Sequence, residues 1–232
     1  MIPGSPSALS SYQEALEFIE TTDITFPVMI KAAMGGGGRG MREVFAKEEL
    51  EEAFELARSE ALTAFGDGSI FIEKLIQRPK HIEVQILGDG TGDIVHLFDR
   101  DCSVQRRHQK VIECAPATGI SEELRERLFS YAKALTSKVQ YKNAGTVEFL
   151  IDSLTEEAFF IEVNPRVQVE HTVTEEVTNV DIVQSQLHIA SGRTLKELGL
   201  LDENAIKVRG YALQCRVTTE DPSQDFSPSA GI

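Results

Sequence analysis

Phe160-Ile-Glu-Val-Asn-Pro-Arg-Val-Gln-Val-Glu-His171 is the stretch on which the reading of this chain turns. At a period of two, Glu162, Asn164, Arg166, Gln168 and Glu170 share one face, while Ile161, Val163, Val167 and Val169 share the other. A half-buried strand usually shows water a mixture of Thr, Ser and Lys. Here the polar side carries carboxylates, amides and a guanidinium in a row, which is the equipment of metal, anion and general-base chemistry. Pro165 cannot donate to a ladder, so the regular strand is expected to end near Asn164 and continue as an extended loop. An ordinary polar strand face laced with ion pairs is the competing reading of this stretch taken alone.

Just upstream, Thr146 to Asp152 and Ala158 to Asn164 read as a hairpin around Thr155, which would set Glu148 opposite Glu162. Two facing carboxylates repel. A divalent cation resolves the conflict, and Glu148, Glu162 and Asn164 are the hard oxygen ligands that suit Mg²⁺ or Mn²⁺; a shared proton is the alternative. A second cluster, Asp99-Arg-Asp-Cys-Ser-Val-Gln-Arg-Arg-His-Gln-Lys110, gathers Arg100, Arg106, Arg107, His108 and Lys110. In an acidic chain such a cluster reads as a local oxyanion site, or else as a solvated face paired to Asp99 and Asp101.

A third feature is the run Gly35 to Gly38, followed by Arg39 and Gly40. Gly35, Gly37 and Gly40 match G-x-G-x-x-G, but a dinucleotide-binding turn opens a helix, and the residues after this one read as a strand. No Gly-Lys-Ser/Thr closes it, so it is not a Walker A loop. It reads as a strand–loop–strand flap whose bare backbone N–H groups can close over phosphates, with Lys31 just before it.

The formal charge of −14 argues against a nucleic-acid-binding surface, which needs a basic stripe. No apolar stretch approaches the length of a membrane span. Cys102, Cys114 and Cys215 have no metal spacing and read as reduced intracellular thiols. Met1-Ile-Pro-Gly-Ser-Pro6 reads like a linker, and the chain is expected to be a piece of a longer polypeptide.

The remaining pattern predicts helices at Tyr12–Thr21 (capped by Ser10 or Ser11), Lys47–Phe65, Ser121–Gln140 and Val180–Ser191. Strands are predicted at Phe26–Ala33, after Gly40 to Phe45, and at Ser69–Ile76. Others are expected at His81–Leu87 and Asp93–Phe98 around Gly88-Asp-Gly-Thr-Gly92, and at Ile206–Thr218. Antiparallel hairpins covered by helices make the fold class α+β.

Lys31-Ala-Ala-Met-Gly-Gly-Gly-Gly-Arg-Gly-Met41, Arg106-Arg-His-Gln-Lys-Val111 and Glu162-Val-Asn-Pro-Arg-Val-Gln-Val-Glu-His171 together resemble the biotin carboxylase component of biotin-dependent carboxylases, an ATP-grasp enzyme. The motifs occur in the same order over essentially the whole chain. Asp101-Cys-Ser-Val-Gln105 and Arg216-Val-Thr-Thr-Glu-Asp-Pro222 are most similar to the pyruvate carboxylase branch of that family. The resemblance implies two α+β subdomains with the nucleotide cleft between them: a glycine-loop lid over residues 1–75 and an antiparallel-sheet core over residues 76–232, incomplete at its C-terminal end.

It also implies a role for each matching residue. Lys31, Gly37 and Gly38 would grip the ATP phosphates, Glu73, Lys74 and the Ile76 backbone the adenine, and His81 the ribose. His108 would approach the terminal phosphate, and Glu148, Glu162 and Asn164 would carry Mg²⁺ or Mn²⁺. Lys110, Arg166, Gln168 and the Val169 backbone would bind bicarbonate. Glu170 would be the base that deprotonates it, and Arg216 would stabilise the biotin enolate. The partners implied are ATP, bicarbonate, a biotinylated carrier domain, an N-terminal domain of the same enzyme and a second copy in a homo-oligomer. The compartment implied is the cytoplasm or the mitochondrial matrix. Two other readings stay open. One is a different ATP-grasp ligase, such as a carbamoyl-phosphate synthetase unit, which leaves Gln168 to His171 without a role. The other is a fragment that binds nucleotide without catalysing a reaction.

Overall fold

The structure is a computed structural model that describes residues 1–34, 40–106, 109–202, 205–224 and 226–229. It forms two compact units. The first comprises Met1–Pro79 with Arg107–Gln109 and Leu150–Ile161, and the second comprises Lys80–Arg106, Lys110–Phe149 and Glu162–Ile232.

In the first unit, helix α1 (Tyr12–Thr21) starts because the Ser11 hydroxyl accepts from the Glu14 N–H at 3.3 Å, while the Glu14 carboxylate accepts from the Ser10 N–H at 2.8 Å. Helix α2 (Leu50–Phe65), preceded by a 3₁₀ turn at Lys47–Glu49, buries Leu50, Phe54, Ala57 and Ala61, one face at helical spacing. It ends at Gly66, whose φ of 75° is the left-handed cap that glycine adopts most cheaply. Strands β1 (Val28–Ala32), β2 (Met41–Val44) and β3 (Ile70–Lys74) form an antiparallel sheet in the order β2-β1-β3. Val28 and Ile30 of β1 and Ile70 and Ile72 of β3 fill one core with Ala15, Ile19 and the buried face of α2.

The second unit holds most of a six-stranded sheet in the order β8-β7-β4-β5-β6-β9. Its strands are β4 (Pro79–Asp89), β5 (Ile94–Arg106), β6 (Gln109–Ala115), β7 (Lys142–Asp152), β8 (Ala158–Asn164) and β9 (Ala212–Cys215). The β4–β5 turn is the expected glycine hairpin, with the Asp89 carboxylate accepting from the Thr91 N–H at 2.9 Å. Gly88 is required on β4, because a Cβ there would lie 2.2 Å from the Tyr141 carbonyl oxygen. Helix α3 (Glu122–Lys138) is capped by Ser121, and helix α5 (Ile182–Ala190) by Asp181. A small pair, β10 (Glu220–Asp221) with β11 (Ser227–Pro228), lies near the C-terminal end of the chain.

The helices cover both faces of the sheet, and the side-chain alternation of β5 shows it. Asp99 accepts from Arg125 of α3 at 2.9 Å, while its neighbour Arg100 reaches Thr174 of helix α4 (His171–Thr178) at 2.9 Å. The polar face of the β4–β5 hairpin is therefore buried, not solvated.

Three expectations change. The last strand spans only Ala212–Cys215, not Ile206–Thr218. Strand β5 runs on to Arg106, so the basic cluster begins on a strand. And α4 follows directly after the extended loop, a helix the sequence pattern did not predict. The strand β8 does stop at Asn164, next to Pro165. Because β8 is an edge strand, Ile161 of its apolar face is exposed.

Candidate active site

Antiparallel pairing places Glu83 of β4 directly across from Arg100 of β5. Both side chains are fully buried. Arg100 donates from Nε to Glu83 Oε1 at 2.5 Å and from Nη1 to Gln85 Oε1 at 2.8 Å and Thr174 Oγ1 at 2.9 Å. Its Nη2 donates to Thr146 Oγ1 at 3.2 Å and to Gln168 Oε1 at 3.4 Å. All five guanidinium donors thus have acceptors, the condition under which such a buried charge is tolerated.

Lys110 of β6 stands over the other oxygen of Glu83. Its ammonium donates to Glu83 Oε2 at 2.5 Å, Glu148 Oε1 at 2.8 Å and Glu170 Oε1 at 2.7 Å. Glu148, on β7, gathers more donors on the same Oε1: Asn164 Nδ2 at 3.0 Å and Gln168 Nε2 at 3.0 Å. His81 Nε2 lies 3.0 Å from its Oε2. Glu170, which precedes α4, is shared between Lys110 and Arg216, whose Nη2 donates to Glu170 Oε2 at 3.0 Å. The Nε of Arg216 donates to buried Glu113 at 2.6 Å, so the guanidinium is aimed from two sides.

The charges set one another. Burial works against the charged form of Lys110, but Glu83, Glu148 and Glu170 outweigh it and raise its pKa far above the ordinary lysine value. Burial likewise opposes ionisation of Glu148, yet His81 and Lys110 hold its pKa well below the usual carboxylate range. Glu170 follows the same pattern, with Lys110 and then Arg100 overcoming burial and lowering it. Both carboxylates are ionised at neutral pH.

Asn164 Nδ2 bridges Glu148 and Glu162, at 3.0 Å and 3.1 Å. Two carboxylates within reach of one N–H₂ group, with only a neutral donor between them, form a hard-oxygen set that a Mg²⁺ or Mn²⁺ ion fits. For Asn164 to be a ligand, its amide must turn, because its Oδ1 now accepts from Arg166 Nη2 at 3.1 Å. The tighter acidic groupings, His81-Glu83-Glu148 and Glu83-Cys102-Glu170, both depend on Glu83, whose two oxygens are already taken, one by Arg100 and the other by Lys110.

The structure brings together Lys110, Glu148, Glu162, Asn164, Arg166, Gln168, Glu170, Arg216 and His81, all in the second unit. Val169 lies on the loop between Gln168 and Glu170 and is exposed. In the first unit, Lys31 of β1 forms an ion pair with Glu73 of β3, Lys74 ends that strand and Ile76 is buried just beyond it. Gly35 to Gly38, Arg39, Arg107 and His108 lie outside the described residues, and with them three expected phosphate contacts, Gly37, Gly38 and His108. Two members of the basic cluster have other roles. Arg100 is an internal strut, and Arg106 pairs with Glu220 and stacks 4.5 Å from the Phe226 ring centroid. Glu83, Gln85, Thr146, Thr174 and Glu113 were not read from the sequence as site residues. Their signal was weak: the alternation Ile82-Glu83-Val84-Gln85 reads as a solvated strand face until α4 is known to cover it.

The chain is an α+β protein of the ATP-grasp fold, and it belongs to the family described as carbamoyl-phosphate synthase L chain, ATP binding domain, whose model matches residues 1–198. Within that class, it is 58% identical over 231 residues to mitochondrial pyruvate carboxylase of Mus musculus and 54% identical over the same span to pyruvate carboxylase of Aspergillus niger. In both comparisons all of this chain is covered but only 19% of the relative, so it spans about a fifth of the length of these proteins. A Campylobacter jejuni biotin carboxylase solved as a β-γ-ATP complex superposes with a TM-score of 0.87 at 46% identity, over 98% of this chain and 49% of that one. The biotin carboxylase domain of Hydrogenobacter thermophilus 2-oxoglutarate carboxylase, solved with MgADP, ADP and bicarbonate, gives 0.88 at 43% identity over 98% and 49%.

Proposed function

We propose that this chain is the ATP-grasp unit of a biotin carboxylase, in which bicarbonate attacks ATP and the carboxyl group passes to biotin on a carrier domain, within a pyruvate carboxylase. The observation that carries the reading is the convergence of Lys110 and Arg216 on Glu170, with Gln168 donating into the same cluster. A plain nucleotide-binding domain has no use for a buried carboxylate held ionised between two cations.

In this reading residues 1–75 are the lid and 76–232 the core. Lys31, Gly37, Gly38 and His108 act on the phosphates, Glu73, Lys74 and Ile76 on the adenine, and His81 on the ribose. Mg²⁺ or Mn²⁺ held by Glu148, Glu162 and Asn164 would supply charge neutralisation at the phosphate oxygens. Lys110, Arg166, Gln168 and the Val169 backbone hold bicarbonate, and Glu170 takes its proton. The resulting oxyanion attacks the γ-phosphorus and ADP leaves, giving carboxyphosphate. Its C–O bond then breaks to release CO₂ and phosphate. The phosphate accepts the ureido proton of biotin, Arg216 stabilises the enolate oxygen, and the nitrogen attacks CO₂. The homo-oligomer, the carrier and the N-terminal domain belong to the same proposal. No described helix is long and apolar enough to cross a membrane, and the compartment proposed is the cytoplasm or the mitochondrial matrix.

The test is ATP cleavage by the full-length protein with Mg²⁺ and biotin, measured with and without bicarbonate. Release of phosphate should depend on bicarbonate, and Glu170→Gln should lower it by about two orders of magnitude or more while nucleotide binding stays intact. Turnover that survives this substitution would remove Glu170 from the role of base.

A further inference from the structure

Resting on that reading, we propose that Arg100 is a positioning residue for the anion site: it sets the amide orientation of Gln168 and, through Glu83, the place of the Lys110 ammonium. Arg100 touches no ligand, since none of its surface is exposed.

Gln168 has two chemically opposite ends. Arg100 Nη2 donates to its Oε1 at 3.4 Å, while its Nε2 donates to Glu148 Oε1 at 3.0 Å. The reverse orientation would put N–H₂ against a guanidinium and a carbonyl oxygen against a carboxylate, so both contacts oppose it. With Arg100 in place, Gln168 presents a donor on the side where Lys110 also points. Without it, only the Glu148 contact opposes the turned amide, so the orientation that presents an oxygen, which repels bicarbonate, gains population.

The second arm runs through Glu83. One of its oxygens accepts from Arg100 Nε at 2.5 Å and the other from Lys110 Nζ at 2.5 Å. The carboxylate is therefore a rigid link between the two cations. Thr146 and Thr174 complete the fork from β7 and α4, so the guanidinium holds four separate segments, β4, β7, the Gln168 loop and α4, in one register. Lysine at position 100 would keep the charge but lose the planar fork, and so could not serve Glu83 and Gln168 together.

The experiment compares Arg100→Lys with the parent full-length protein in bicarbonate-dependent ATP cleavage. The KM for bicarbonate should rise about ten-fold or more while the KM for ATP stays within about two-fold and the melting transition remains cooperative. Thr146→Val, a near-isosteric change that removes one acceptor of Nη2, should move the bicarbonate KM in the same direction by a smaller factor, and it serves if Arg100→Lys does not fold. A folded Arg100→Lys, or Thr146→Val in its stead, with an unchanged bicarbonate KM would overturn the proposal. So would an equal rise in both KM values, which marks general loosening. If the parent protein itself shows no bicarbonate-dependent cleavage, the biotin carboxylase reading fails first and the proposal with it.

Discussion

Glu148 Oε1 accepts from Lys110, Asn164 and Gln168 at once, at 2.8, 3.0 and 3.0 Å. Lys110 and Gln168 are the donors proposed for bicarbonate, so in this arrangement an internal carboxylate takes the position that an anion would compete for. A cation bound by Glu148 draws its electron density away from these donors and makes them available. Cation and anion binding should therefore be coupled, each strengthening the other by the same factor. Glu148→Gln should weaken Mn²⁺ binding by about ten-fold or more, roughly 1.4 kcal/mol, and should abolish the effect of bicarbonate on it, as read by calorimetry. Undiminished Mn²⁺ affinity would remove Glu148 from the ligand set. At this scale Glu162, Asn164, Gln168 and Glu170 were legible because strong donors and acceptors crowd one strand face, Lys110 because it closes a basic cluster in an acidic chain, and Arg216 only through the family resemblance. The buried Arg100–Glu83 pair was not, since charge alone does not say whether a strand face meets water or a helix.

The elements were legible where local chemistry fixes them. Ser121 followed by acidic residues announced α3, and the Ser121 hydroxyl does accept from the Leu124 N–H at 3.1 Å. Ser121→Ala should cost about 1 kcal/mol of stability. Phe54→Ala should cost about 3–5 kcal/mol, because Phe54 is fully buried in the α2 face of its core. Chemical denaturation reads both, and a smaller loss for Phe54→Ala than for Ser121→Ala would contradict the packing described. Helix α4 escaped notice for a physical reason. His171-Thr-Val-Thr-Glu-Glu-Val-Thr178 is rich in β-branched residues, which disfavour helix on their own. It is helical because Val173, Thr174, Val177 and Thr178 are buried and Asn179 caps it at φ 60°. The final strand was read too long for the converse reason, as β-branched residues near Val217 are exposed and unpaired in the sheet.

At the scale of the molecule, acid stability follows from groups in both conditions of burial. His96 stacks on Phe129 with ring centroids 4.0 Å apart, and burial, assisted by Lys133, lowers its pKa from 6.5 to about 4. A group whose folded pKa is depressed contributes stability that is complete above its unfolded value and is lost as pH falls. His96 thus loses its contribution between pH 6.5 and about 4, ahead of Glu148 and Glu170, whose loss begins only below their ordinary value of 4.5. The melting temperature should begin to decline below pH 6.5, and His96→Gln should flatten the decline between pH 6.5 and 4.5. An identical slope in that variant would assign the acid sensitivity elsewhere.

In the proposed function the Glu170 cluster makes bicarbonate, not water, the nucleophile toward ATP. Isotope transfer reads this directly. With ¹⁸O-labelled bicarbonate and the full-length protein, the attacking oxygen stays on phosphorus when carboxyphosphate breaks at its C–O bond. Each turnover should therefore place one ¹⁸O in the released phosphate, and unlabelled phosphate from labelled bicarbonate would contradict the account.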